Sequence, residues 1–576
     1  MLRSTLHPRR LICTWNYLRV GRLVNCPRYA VAPLPLGGIT QSLALSRPLS
    51  QKSPSSDIAD NSSRFPVIGD TIYALSTAQG PAGIAVIRIS GPSSLEVYKA
   101  LCPSKALPKP RYATVRALYE PQAREDPVIL DSEALVLYFP GPKTVTGEDV
   151  LELHVHGGPA TVKAVLSAVP RCSTTERIRY AEPGEFTKRA FFNNRLDLAQ
   201  IESLSDTLAA ETEQQRRAAV RGNSGALGRA YEAWREQLLL ARAEIEALID
   251  FSEDQHFDES ESDLLGNVKD QVARMLHSIE LHEQGSQRNE LLKNGIRIAL
   301  LGPPNAGKSS LMNLIVGREA SIVSGEAGTT RDIVEASLDI RGYLCSFADT
   351  AGFRSEQSGA INGAEVAAIG AVEEEGIRRA KQKALNSDIV VVLASVEQGS
   401  GGSFIQYDRE TLNLAVRAES CLIVVNKRDS VDPDEFTKLI QGFRETVQAR
   451  DPKLAAAELV SISCKEAQTA AVDTKDPGGI QTVMDSLVGS FTRMTSMPAE
   501  QQDLLGVTER QRQLLVKCRH HLEIFMDEAQ AEEGEPDADA VLAAEYLRYA
   551  ADCLARITGR GEFGDAEDVL GVIFEK

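Results

Sequence analysis

Apolar positions change their spacing several times along this chain, and each change marks a region. Between about Asp70 and Pro183, short β-rich runs alternate with Gly/Pro turns. Gly83–Ile89, Ala134–Tyr138 and Val150–Val155 are expected strands, and Leu95–Leu101 and Ala160–Val169 expected helices, giving a mixed α+β domain. From about Leu196 to Leu292 the spacing turns helical. Ile201, Leu204 and Leu208, then Leu238, Leu239, Ala243 and Ile245, recur with charges between them. From Ile296 to about Leu487 strands and helices alternate again. Ile296–Leu301, Ile389–Leu393 and Leu422–Val425 are near-continuous apolar runs of the kind found in buried parallel sheets. After Pro498 long helices return, through Leu514, Leu515, Leu522, Ile524 and Phe525, then Ala540 to Ile557. An α/β domain inserted between two helical halves is the organisation this predicts. The acidic stretch Asp527–Asp539 reads as a solvated inter-helix loop.

Composition narrows the class. With 576 residues, 43 % hydrophobic and 25 % charged, the chain is ordinary globular material divided over three or four domains. Its net charge of −17 excludes a uniformly basic nucleic-acid binder. The first 56 residues depart from that average, with no Asp or Glu and eight positive charges from Arg3 to Lys52. Arg-rich, Ser-rich and acid-free, residues 1–56 are expected to be a mitochondrial transit peptide, the other reading being a retained basic arm. The nine cysteines are scattered with no C-x-x-C pair, which points to a reducing compartment rather than a disulfide or zinc framework. The longest apolar stretch, Ile389–Val396, is too short to span a bilayer.

The chemistry begins at Gly302-Pro-Pro-Asn-Ala-Gly-Lys-Ser309, a G-x-x-x-x-G-K-[ST] loop between an expected strand and an expected helix. Gly302 and Gly307 let backbone N–H groups wrap the β-phosphate, Lys308 reaches the β/γ oxygens, and Ser309 offers a hydroxyl to Mg2+. Asp349-Thr-Ala-Gly352 fits a Mg2+-side aspartate with a γ-phosphate-sensing glycine, and Thr330 in Gly328-Thr-Thr-Arg-Asp332 could close over the metal. Asn426-Lys-Arg-Asp429 supplies a carboxylate for the guanine N1 and N2 donors, which adenine lacks. Ser463-Cys-Lys465 completes the base pocket, with Cys464 where Ala is usual. Five pieces in this order define a GTPase. Phe353 stands where many small GTPases carry a water-orienting Gln, so water is positioned from elsewhere or hydrolysis waits for a partner. The Asn305 carbonyl oxygen could hold a monovalent cation beside the phosphates.

Further motifs lie outside the generic GTPase set. They are Asp70-Thr-Ile72 with Ile87-Arg-Ile-Ser-Gly91, Phe139-Pro-Gly-Pro142 with Thr146-Gly-Glu-Asp-Val-Leu-Glu-Leu153, His156-Gly-Gly-Pro159, and Pro183-Gly-Glu-Phe-Thr-Lys-Arg-Ala-Phe191 running into Asn194-Arg-Leu-Asp-Leu-Ala-Gln200. Through these and the domain order, residues 68–575 resemble the MnmE (TrmE) family of tRNA-modification GTPases in its mitochondrial form. The resemblance implies a multidomain α/β and α fold. It has an N-terminal α+β tetrahydrofolate-binding-like domain (66–190) that forms a homodimer, a discontinuous helical domain (191–292 and 491–576), and an inserted P-loop GTPase domain (293–490) with a parallel sheet and helices on both faces.

It also implies a function and a site. The expected activity is GTP hydrolysis in a matrix complex with an FAD-dependent MnmG-type subunit, modifying C5 of the wobble uridine in mitochondrial tRNA. The added carbon would come from 5-formyl- or methylene-tetrahydrofolate, faced by Arg88, Glu152 and Arg195, the last usually Lys in the family. GTP would lie against Asn305, Ala306, Gly307, Lys308, Ser309 and Ser310. It would also meet the segment Ser324, Gly325, Glu326, Ala327, Gly328, Thr329 and Thr330. Asp349, Thr350, Ala351 and Gly352 follow, with Asn426, Lys427, Asp429, Ser463, Cys464 and Lys465 at the base. Mg2+ falls to Ser309, Thr330 and Asp349, and K+ to Asn305, Ser324, Glu326 and Thr329. Potassium-dependent pairing of GTPase domains would order the switches. Glu373, with Glu374 or Glu375 as alternatives, would position water, beside Lys308 and Thr330 as catalytic groups. The family pattern ends in a Cys-x-Gly-Lys tail that is not found after Leu570-Gly-Val-Ile-Phe-Glu-Lys576, and a truncated gene model is the expected reason.

Other readings are weaker. His154 and His156 share a strand face, but ordinary strand residues explain them better than a metal. Arg216, Arg217 and Arg221 are an expected solvated helix face that could touch tRNA phosphate. A ribosome-assembly switch and a folate-dependent one-carbon enzyme on a non-RNA substrate are the alternative functions. The absence of a KH pattern around Arg560 and Gly564 argues against the first.

Overall fold

The computed structural model describes residues 69–121, 127–251, 261–318, 320–322, 337–348, 385–400, 402–469, 476–529 and 540–560. The N-terminal region contains β1 (Thr71–Leu75), β2 (Ile84–Ser90), α1 (Ser94–Leu101), β3 (Thr114–Tyr119), β4 (Ile129–Phe139), β5 (Val150–His156), α2 (Pro159–Ala168), β6 (Ile178–Tyr180) and α3 (Glu185–Phe192). Its sheet has the order β3-β4-β5-β2-β1-β6, antiparallel except for β1 with β6. Alternation decides which side is covered. Ile87, Ile89, Leu151, Leu153 and Val155 pack with Val97, Leu101 and Val165 of the two helices. The residues between them, Arg88, Glu152 and His154, are only half-buried on the other face.

The helical domain comprises α4 (Leu198–Ala209), α5 (Glu213–Gly222), α6 (Ala226–Phe251) and α7 (Glu261–Asn294) before the insertion. Inserted next are β7 (Ile296–Leu301), α8 (Lys308–Arg318), β8 (Ala320–Ile322), β9 (Ser337–Ile340), β10 (Tyr343–Ala348), β11 (Ile389–Gly399) and β12 (Gly402–Gln406). They are followed by α9 (Arg409–Arg417), β13 (Ser420–Asn426), α10 (Pro433–Gln448), α11 (Pro452–Ala455), β14 (Glu458–Ser461), α12 (Cys464–Thr469) and α13 (Ile480–Thr495). The strand order is β14-β13-β11-β7-β10-β9-β8, with β12 on β11. From β14 through to β10 all pairings are parallel. Successive β11 residues enter opposite cores, Val391 and Leu393 on one side, Val390, Val392 and Ala394 on the other. That two-sided burial is why the sequence there is apolar without alternation.

Helices α14 (Glu509–Glu528) and α15 (Ala540–Thr558) return to the first helical half. Leu227, Tyr231, Val272, Ile279, Leu515, Phe525, Leu547 and Leu554 form one core from both sides of the insertion. Polar contacts tie the same halves. Glu202 on α4 accepts from Thr508 Oγ1 (2.9 Å) and Gln511 Nε2 (2.7 Å), and pairs with Arg510. Buried His282 on α7 meets the Tyr231 hydroxyl at 3.0 Å, and burial depresses its pKa to about 4, so it stays neutral. The GTPase and helical domains share packing as well, since Ala218, Leu292 and Leu505 belong to the core that covers one face of the parallel sheet. Helix α13 crosses residue 490, where the sequence suggested a domain boundary. No described helix is long and apolar enough to cross a membrane.

Candidate functional site

The loop after β7 turns sharply because two of its glycines have no room for a side chain. A Cβ on Gly302 would lie 2.2 Å from the Leu393 carbonyl oxygen of β11, and one on Gly307 (φ +99°) 2.2 Å from Asn426 Nδ2. Asn305 adopts φ +60°, a left-handed conformation that Asn tolerates better than most residues. Helix α8 then starts at Lys308, so its N-terminus faces the loop. Lys308 Nζ donates to the carbonyls of Gly302 (2.9 Å) and Pro303 (3.0 Å), which holds the ammonium over the loop.

Asn426, the last residue of β13, joins this loop to the base pocket. Its Nδ2 donates to Ala306 O at 2.8 Å, while Oδ1 accepts from the backbone of Lys427 (2.8 Å) and Cys464 (3.1 Å). The side chain is buried, so all three bonds act in a weakly screened setting. Asp429 is aimed by Ser463, whose Oγ donates to Asp429 Oδ1 at 2.6 Å. Its other carboxylate oxygen lies 4.0 Å from Lys465 Nζ, an exposed ammonium. Burial pushes the Cys464 thiol up to about 11, so Cys464 serves as a small neutral filler. Lys427, at φ +65°, forms an ion pair with Glu397 of β11, and Ser395 Oγ donates to the same carboxylate at 2.9 Å. The hydrogen bond from Lys427 is the largest cause holding Glu397 below its ordinary pKa.

The structure therefore brings together Asn305 to Ser310 with Asn426, Lys427, Asp429, Ser463, Cys464 and Lys465, from three strand ends of one sheet. Ser324 to Thr330, Asp349 to Gly352, and Glu373 with its neighbours Glu374 and Glu375 lie outside the described residues. Sequence reading missed Glu397 and Arg428; the signal for Arg428 was its place inside the Asn426–Asp429 motif.

On the open face of the N-terminal sheet, Arg88 and Glu152 are register partners on β2 and β5. Arg88 donates through Nε (3.0 Å) and Nη2 (2.9 Å) to Glu152 Oε1, and its guanidinium lies 5.9 Å from the centre of the Phe186 ring. His154 Nε2 is 3.4 Å from Glu152 Oε2. Arg195 Nε donates to Thr144 O at 2.9 Å, in the loop whose Thr146 meets Ser90 at the end of β2 (2.7 Å). His156 Nδ1 is 3.0 Å from buried Asp131. Burial works to raise the Asp131 pKa, but the backbone N–H groups of Glu133 and His156, together with the His156 ring, outweigh it and leave the carboxyl lowered. Among the described residues no cluster of His, Cys, Asp and Glu is arranged to hold a metal.

A second polar centre lies at the β1–β6 end of the same sheet. Arg189 Nη2 donates to Asp70 Oδ1 (2.6 Å) and Glu185 Oε1 (3.0 Å), and Nη1 to both Glu148 oxygens (3.1 Å). Arg179 donates to Asp70 Oδ2 (2.6 Å) and Glu185 Oε2 (2.7 Å). Asp70, Glu185 and Arg189 are each about 5 % exposed, so the cluster is internal and holds β1, β6 and α3 together. Its sequence signal was present, since Asp70, Glu148, Glu185 and Arg189 all sit in the motifs outside the GTPase set.

A parallel sheet, a glycine-forced phosphate loop and an Asn/Asp base clamp joined to it define a P-loop GTPase. The remaining domains narrow the class further. Residues 71–195 match the GTP-binding protein TrmE N-terminus, and residues 198–576 match the MnmE helical domain. The chain belongs to the MnmE (TrmE) family. It is 36 % identical over 513 residues to the mitochondrial 5-taurinomethyluridine-[tRNA] synthase subunit GTPB3 of Danio rerio, covering 88 % of this chain and 92 % of that protein. It is 39 % identical over 509 residues to the tRNA modification GTPase MnmE of Parvibaculum lavamentivorans (88 % and 98 %). To the mitochondrial tRNA modification GTPase MSS1 of Saccharomyces cerevisiae it is 34 % identical over 522 residues (88 % and 92 %).

Proposed function

We propose that this protein is the GTP-hydrolysing subunit of a mitochondrial complex that modifies C5 of the wobble uridine in tRNA. The observation that carries the reading is the Asn426 joint: a guanine clamp hydrogen-bonded to a phosphate loop, in one chain with TrmE-type N-terminal and MnmE-type helical domains. Relatives named as tRNA modification GTPases, several of them mitochondrial, support the substrate and the compartment, and the acid-free first 56 residues fit import into the matrix. The flavin-dependent partner, the folate carbon and a homodimer through the N-terminal sheet complete the reading. Arg88 and Glu152, with Arg195 beside Thr144, are the groups to meet a folate. Ser309 at the start of α8 would hold Mg2+, with Thr330 and Asp349. Asn305 would hold K+, with Ser324, Glu326 and Thr329. Bound there, the cations would neutralise charge that builds on the phosphates during hydrolysis.

The test is nucleoside analysis of mitochondrial tRNA from a strain lacking the protein. The expected outcome is loss of the C5-substituted wobble uridine, restored by the wild-type chain and not by Lys308→Ala. Retention of that nucleoside overturns the reading and favours the assembly switch or the one-carbon enzyme. A second measurement addresses the cation. GTP hydrolysis should run at least ten-fold faster in potassium than in sodium, with Glu373→Ala removing most of the gain. Equal rates in the two salts sink the potassium assignment.

A further inference from the structure

We propose that Arg428 and Glu466 form a latch across the guanine pocket that sets how long a nucleotide stays bound. The inference rests on the guanine-nucleotide reading of the site and goes beyond its recognition contacts. Asp429 lies in the short 3-10 turn Arg428–Ser430, and Ser463 immediately precedes α12. These two loops are linked once by the Ser463 hydroxyl on Asp429 (2.6 Å). They are linked again by Arg428, whose Nε (3.1 Å) and Nη2 (2.9 Å) both donate to Glu466 Oε2. The Glu466 backbone N–H donates to Ser463 Oγ at 3.0 Å, so Asp429, Ser463, Glu466 and Arg428 close a ring of contacts. Arg428 is anchored besides: its backbone N–H donates to Ile462 O (3.2 Å) and Nη1 to Ser461 O (3.4 Å) at the end of β14.

The ring ties the loop that carries Asp429 to the loop that carries Ser463, so any parting of the two loops to admit or release a base would break it. The two side chains are 32 % and 44 % exposed, so water screens the pair and its share in the stability of the fold is small. Its effect falls instead on the population of open loops, and through that on release. Arg428 is thus a positioning residue for Asp429, one step removed from the base.

Release of a fluorescent GDP analogue from the full-length protein, chased with excess GDP, reads this directly. Arg428→Ala and Glu466→Ala are each expected to release it about five-fold faster, a size set by a screened ion pair. The thermal midpoint of the nucleotide-free protein should stay where it is, since the exposed pair carries little of the stability of the fold. The charge-reversed double variant, Arg428→Glu with Glu466→Arg, should recover at least half of the wild-type residence time. Release within two-fold of wild type in both single variants overturns the latch. Failure of the wild type to take up the analogue at all removes the guanine assignment and the latch with it, so the two readings fail differently.

Discussion

Strand β11 of the GTPase sheet buries eight successive residues, Ile389 to Val396, whereas β2 of the N-terminal sheet alternates between buried Ile87 and Ile89 and half-buried Val86 and Arg88. The first strand has apolar layers on both faces and tolerates polar groups only at its end, where Ser395 and Glu397 reach the base clamp. The second has helices on one face and leaves the other open. One sheet therefore gathers its polar side chains at strand ends, the other along an uncovered strand face. The N-terminal sheet also relies on charge where the GTPase sheet relies on a second apolar layer. Its β1–β6 end is held by the internal cluster of Arg179, Arg189, Asp70, Glu148 and Glu185.

The largest expected effect tests that charge cluster. Arg189→Ala leaves Asp70 and Glu185 buried without their shared guanidinium, and should destabilise the N-terminal domain by about 4 kcal/mol. Calorimetry of the full chain would show its transition moving down while the GTPase transition holds. A loss under about 1 kcal/mol would mean that the apolar face alone carries this domain. Next comes the two-sided strand. Leu393→Ala, at a fully buried position, should cost the GTPase domain about 3 kcal/mol in urea unfolding. The smallest effect belongs to the open face. Ile84→Ala, at a residue 63 % exposed, should stay within about 0.5 kcal/mol in the monomer. Similar costs at Leu393 and Ile84 would break the contrast between the sheets.

Much of this was legible in the sequence. The runs Ile296–Leu301, Ile389–Leu393 and Leu422–Val425 became parallel strands, because a strand covered on both faces has no reason to alternate. The phosphate and base motifs were readable because each needs particular residue types at fixed spacing along one loop. Glu397 and the Arg428–Glu466 pair were not. Nothing local ties Lys427 to a carboxylate 30 residues earlier, or Arg428 to one 38 residues later. The Arg189 cluster was half legible: four of its five members stood in conspicuous motifs, but Arg179 did not, and the pairing of Asp70 with a residue 119 positions away needs the fold.

By itself, then, the sequence determined where each kind of element lies and which loops carry phosphate and guanine chemistry, since those follow from periodicity and from residue types held a few positions apart. Tertiary structure decided which side chains from distant segments share one environment. The sheet brings the ends of β7, β11, β13 and β14 together, so Asn426 can bond Ala306 and Cys464 at once. The two helical halves, separated by the whole insertion, share one apolar core and are tied again by Glu202 with Thr508 and Gln511. Short-range patterns encode local geometry, whereas charge pairing and burial depend on distances that exist only once the chain has closed on itself.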